Sequence, residues 1–111
     1  MKVVAITSVQ NLDVNKATHS SGKRLAEVAD IVIDNGCEPR DAVVDIEGWG
    51  PPVGATSTFA VVLITMALVA EVAAQLAQRG IILPTFVSPN DTRFGPDHNA
   101  QVFADYKRRT R

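Results

Sequence analysis

With 111 residues and 11.9 kDa, the chain amounts to one domain, near the low end of the usual range. Its 46% hydrophobic and 21% charged residues exclude disorder over most of its length. Eleven basic against twelve acidic side chains exclude the basic excess of a nucleic-acid binder, leaving only the tail Lys107-Arg108-Arg109-Thr110-Arg111 basic. The lone Cys37 excludes an internal disulfide and a cysteine zinc cluster, and no metal or cofactor is expected. No charged-then-apolar leader is visible, which makes the cytoplasm the expected compartment.

Lys2 to Thr7 is a short β-branched run, the pattern of a strand buried on both faces. A polar connection from Ser8 to His19 follows, longer than strand-to-helix loops usually are, and long loops tend to be functional. Ser20 or Ser21 then caps a short helix predicted over Gly22–Ala29. Ile31 to Asp34 is a second strand, stopped by the turn pair Asn35-Gly36. Asp41 to Glu47 alternates as a third strand, with Ala42, Val44 and Ile46 on one face.

After the Gly/Pro loop at 48–54, Thr56 or Ser57 caps a long helix running to about Arg79, with Gly80 as its stop. No charge occurs from Gly48 to Ala70, but only the twelve residues from Phe59 to Ala70 are densely apolar. As helix they cover about 18 Å against a bilayer core of roughly 30 Å, which favours a core helix over a membrane span. Ile81 to Ser88 is predicted to be extended, and a last helix runs from about Asp97 into the tail.

Alternating strands and helices predict an α/β fold with a mainly parallel sheet flanked by helices. Three or four short strands cannot cover a helix that is apolar all round, with Phe59, Val62, Met66 and Val69 on one face and Val61, Ile64 and Leu68 on another. A missing half, a partner subunit, or both are therefore expected. Trp49 in the Gly/Pro loop is a further candidate for such a contact.

Val3-Val4-Ala5-Ile6-Thr7-Ser8, followed by Ser21 to Asp34 with its Leu25-Ala26-Glu27-Val28-Ala29-Asp30, resembles the second half of a sugar isomerase (SIS) domain. His19-Ser20-Ser21-Gly22-Lys23-Arg24, Asp41 to Gly48 and Asp97-His98-Asn99 are similar to uncharacterised SIS proteins related to phosphoheptose isomerase. The resemblance implies a flavodoxin-like parallel sheet in a three-layer α/β/α arrangement, of which residues 1–111 would be the C-terminal portion. With its all-round apolar helix, the chain is expected in a homodimer or higher oligomer, and neither a nucleic-acid nor a membrane partner is expected. The family's phosphate loop, Ser-x-Ser-Gly-x-Ser/Thr, is not found in this sequence.

A sugar-phosphate site is what the resemblance implies, used either for aldose–ketose isomerisation or for non-catalytic sensing or dimerisation. His19, Ser20, Ser21 and Lys23 lie at a helix start where N–H groups favour anions; the plain alternative is a serine cap with solvated basic residues. Ser57 and Thr58 begin the long helix beyond a strand's carboxyl end, and Thr7 and Ser8 end the first strand, the edge along which open α/β sheets bind ligands. Glu47, two residues from Asp45 on one strand face, suits the proton transfer of an isomerase, and His98 could protonate a ring oxygen. A solvent-facing glutamate and a surface histidine are the plain alternatives. A nucleotide-binding half is disfavoured, because no G-x-G-x-x-G follows a strand.

Overall fold

The structure is a computed structural model and describes residues 1–110. The chain divides into two units, Met1–Ala70 and Glu71–Arg111. In the first, strand β1 (Val4–Thr7) pairs in parallel with strand β2 (Ile31–Asp34), Val4 opposite Ile31 and Thr7 opposite Asp34. β-Branched side chains suit this pleated backbone. The Asp30 carboxylate fixes the start of the pair, accepting the Val3 N–H at 2.8 Å and the Lys2 ammonium at 3.0 Å. Both bonds hold its pKa below the ordinary value, the Val3 bond most strongly. Ala5, 2% exposed, is the buried apolar side chain of this unit.

Parallel strands need a crossover. Here it contains two short helices, α1 (Asn11–Val14) and α2 (Leu25–Val28). The sequence reading places no helix at α1. It forms because the carbonyls of Ser8, Val9 and Gln10 accept the N–H groups of Asn11, Leu12 and Asp13, closing one helical turn. α2 is half the expected length. Its cap is Arg24, extended at φ −95° and ψ 162°, whose N–H is taken by the Glu27 carboxylate at 2.7 Å. Ser21 acts one turn earlier, on the Lys23 N–H at 3.3 Å.

The third strand expected over Asp41–Glu47 is reduced to one antiparallel bridge, Val44 with Val53. A strand needs an edge to pair with. Among the described residues neither β1 nor β2 pairs with this segment, which folds back on its own Gly/Pro-rich continuation instead. Gly54 faces Val44 there at positive φ (+79°), and a Cβ at this position would meet the Val44 side chain at 3.3 Å. Trp49 lies within this fold-back, 65% exposed.

Helix α3 (Ser57–Gln78) starts in the first unit and ends in the second. The Thr56 carbonyl accepts the Ala60 N–H at 3.0 Å, which makes Thr56 the capping residue. At the other end the Gly80 and Ile81 N–H groups bond the carbonyls of Ala77 and Leu76, and Gly80 takes φ +72°. This is a Schellman stop, which glycine accommodates without a Cβ clash. Thr65 is no break in the apolar run, because its hydroxyl donates to the Val61 carbonyl at 2.7 Å.

No residue of α3 is buried, and Phe59, Val62, Leu63, Met66 and Val69 are all exposed. Its 22 residues extend about 33 Å, with a mean hydropathy of 2.2 over the most apolar 18. By length and composition alone the helix is long and apolar enough to cross a bilayer, a test that core helices also pass.

In the second unit, helix α4 (His98–Arg109) follows the end of α3, and Val102 is its buried apolar residue at 7% exposure. The expected extended segment Ile81–Ser88 has no regular secondary structure. The Asn99 side chain serves Val87 as a neighbouring strand would, accepting its N–H at 3.0 Å and donating to its carbonyl at 2.9 Å. Asp105 pairs with Arg108 and, at 3.2 Å, with Arg109, so part of the basic tail is neutralised along the helix. The last tail residue, Arg111, lies outside the described residues. The architecture is mixed α/β: a two-stranded parallel sheet and four helices among the described residues.

Candidate functional site

The carboxyl ends of β1 and β2 are cross-tied. The Asp34 carboxylate accepts the N–H groups of Val9 and Gly36, both at 3.1 Å, and the Ser8 hydroxyl donates to the Cys37 carbonyl at 2.6 Å. Those two backbone bonds hold the Asp34 pKa below its ordinary value, the Val9 bond foremost. Gly36 turns the chain at φ +66°, and the side-chain oxygen of Asn35 accepts the Cys37 N–H at 3.0 Å. Cys37 is half-buried, and its thiol points at the Asn35 backbone carbonyl.

Beside these tied loops opens a cleft of about 640 Å³. Thr7 and Ser8 form its strand-end wall, and Ser57 and Thr58 at the start of α3 form another. Four of the hydroxyls proposed from sequence, from two segments far apart in the chain, thus line one cleft. Its volume suits a small-molecule ligand. Asn11, Asn15 and Asn35 line it as well, with Glu38, Arg40 and Asp41 among its charged groups. The sequence reading missed all six. Asn35 was findable, since it directly follows β2 on the ligand-binding edge; Asn11 and Asn15 depend on the unforeseen α1.

Arg40 is engaged by protein groups. It bonds the Val43 carbonyl at 2.6 Å and pairs with Glu38 at 3.2 Å and Asp45 at 3.5 Å. Arg24 lies behind α1 and joins it to α2. Its guanidinium donates to the carbonyls of Leu12 and, at 3.2 Å, Asn15, while grasping Glu27 at 3.0 and 2.8 Å. This strut ties down α1 and the residue after it, so Asn11 and Asn15 are held where they line the cleft.

The strut is acid-sensitive. Hydrogen bonds from the Arg24 side chain and backbone lower the Glu27 pKa from 4.5 to about 2. A carboxylate whose folded pKa is depressed stabilises the fold above its unfolded pKa and loses that contribution as pH falls towards the folded value. Glu27→Gln in the intact protein should therefore flatten the fall in melting temperature between about pH 4.5 and pH 2. Parallel melting curves for the two proteins across that window would contradict the assignment.

His19, Ser20, Ser21 and Lys23 do not line the cleft. They form a local turn: the Ser21 N–H donates to His19 Nδ1 at 3.1 Å, the Ser21 hydroxyl lies 2.8 Å from the same nitrogen, and the Gly22 N–H bonds the His19 carbonyl at 2.9 Å. Glu47 also lies away from the cleft lining, exposed in the turn closed by the Trp49 N–H and the Ile46 carbonyl. In the second unit, His98 Nε2 lies 2.8 Å from the Thr85 carbonyl and its ring packs on Phe94 at 4.8 Å between centroids. A carbonyl only accepts, so Nε2 carries the proton and Nδ1 is the ring nitrogen left for other work. No group of three or more metal-ligating side chains occurs among the described residues.

No family model matches the chain. A UPF0309 protein of Shouchella clausii is 39% identical over 90 residues, covering 81% of this chain and 37% of the relative. A UPF0309 protein of Oceanobacillus iheyensis is 36% identical over 107 residues, 96% of this chain and 43% of the relative. One from Listeria innocua is 34% identical over 107 residues, with the same coverage. The chain spans about two fifths of the length of the curated relatives it matches. Over most of its own length, it is homologous to UPF0309 proteins.

Proposed function

We propose that the chain supplies the sugar-facing wall of a phosphosugar-binding site within a flavodoxin-like, three-layer SIS sheet that further polypeptide completes. The supporting observation is the convergence of Thr7, Ser8, Ser57 and Thr58 on one cleft at the carboxyl end of the parallel strands. Hydroxyls and amides suit a ligand rich in hydroxyl groups, because each can donate or accept. The start of α3 lines this polar cleft, which favours a core role over a membrane span for that helix.

Binding is better supported than isomerisation by the residues singled out from sequence. Glu47 does not line the cleft; Glu38 and Asp41 are the carboxylates that do. Should turnover occur, one of those two is the first candidate for the base.

Calorimetric titration of the intact protein with a panel of sugar phosphates tests the proposal. One or more should bind, and replacing Ser57 and Thr58 together by Ala should weaken binding about tenfold, the loss of two neutral hydrogen bonds. Undiminished affinity in the folded double variant would place the site elsewhere.

A further inference from the structure

The charged fringe of the cleft holds two carboxylates, Glu38 and Asp41, against one guanidinium, Arg40, which is already engaged by Glu38, Asp45 and the Val43 carbonyl. Such a fringe repels a phosphate and tolerates neutral hydroxyls. Between the hydroxyl walls stand amides whose hydrogen-bonding capacity the protein leaves open. The Asn35 side-chain oxygen is taken by the Cys37 N–H at 3.0 Å, while its NH₂ group has no protein partner among the described residues. The Asn11 amide has none for either end among those residues. Both side chains are half-buried at the cleft with these amide groups open to solvent, where a ligand hydroxyl can replace the water that bonds them.

We infer that Asn11 and Asn35 read the hydroxyl groups of the bound sugar, Asn35 as a donor and Asn11 as donor and acceptor, with the phosphate lying away from Glu38 and Asp41. This deepens the sugar-phosphate reading of the cleft and rests on it. Asn15 is the weaker candidate, since its NH₂ group already reaches the Pro39 carbonyl at 3.4 Å. The ligand class is a polyhydroxylated sugar phosphate, recognised here by its hydroxyls.

The test is a calorimetric cycle on the intact protein, using the sugar phosphate it binds best and the deoxy analogues of that compound. Asn35→Asp keeps the acceptor that holds the Cys37 N–H, loses the donor and adds a carboxylate charge. Asn11→Ala removes an amide that bonds nothing in the protein, so its fold is insensitive to the change. Wild-type protein should prefer the parent sugar over one deoxy analogue by about tenfold. Asn35→Asp or Asn11→Ala should abolish that preference. The carboxylate charge that Asn35→Asp adds would by itself weaken both ligands equally and leave the preference intact, which would overturn the assignment of Asn35. A preference retained in both variants overturns the inference while the binding site stands. Wild-type protein that binds no sugar phosphate removes the site reading and this inference with it.

Discussion

Purified on its own, the 111-residue chain should scatter light as an oligomer or aggregate and not as an 11.9 kDa monomer. Among the described residues Ala5 and Val102 are the buried apolar ones, while the length of α3 displays large apolar side chains, Phe59 at 72% exposure among them. Each such side chain left in water forfeits about 1.5–3 kcal/mol, and total stabilities are only about 5–15 kcal/mol. Several uncovered side chains therefore outweigh the stability of a whole domain. A cooperative monomer at micromolar concentration, seen by light scattering and thermal unfolding, would contradict this.

In the intact protein, Leu63→Asp should prevent folding or assembly. Leu63 is 59% exposed in this chain, midway along the apolar run of α3. A carboxylate on a surface that stays in water changes stability by about 0.5 kcal/mol or less. On a surface that other polypeptide covers, the unpaired charge costs several kcal/mol. The two outcomes differ enough that soluble yield and melting temperature separate them. A Leu63→Asp protein with unchanged melting temperature would show that α3 faces solvent.

The sequence made legible whatever is encoded locally. β1 and β2 follow from their β-branched runs, α3 from its apolar stretch between Thr56 and Gly80, and α4 from the residues after Asp97. Two elements were misjudged for reasons of context. Asp41–Glu47 has the alternation of a strand but finds no sheet edge among the described residues, so only Val44 pairs. α1 has no apolar periodicity; it is closed by backbone bonds from the turn at Ser8–Gln10 and held by Arg24, which bonds the Leu12 carbonyl twelve residues back.

The candidate site was legible to the same extent. That Thr7, Ser8, Ser57 and Thr58 line one cleft was readable because strand ends and helix starts lie along one edge of an α/β sheet. The amides of Asn11 and Asn15 were not, because nothing in their local sequence announces α1. The basic start at His19–Lys23 read as an anion site because Ser20 or Ser21 was expected to cap α2. Arg24 takes that place, and the serine-containing segment closes on itself.

The most direct test of the sugar-facing cleft is a hydrogen-exchange footprint of the intact protein with and without its best-binding sugar phosphate. Bound ligand should slow exchange in the peptides carrying Thr7 to Asn15, Asn35 to Asp41 and Ser57 to Val62, the segments that line the cleft. Protection confined to other segments, with these unchanged at saturating ligand, would contradict the account.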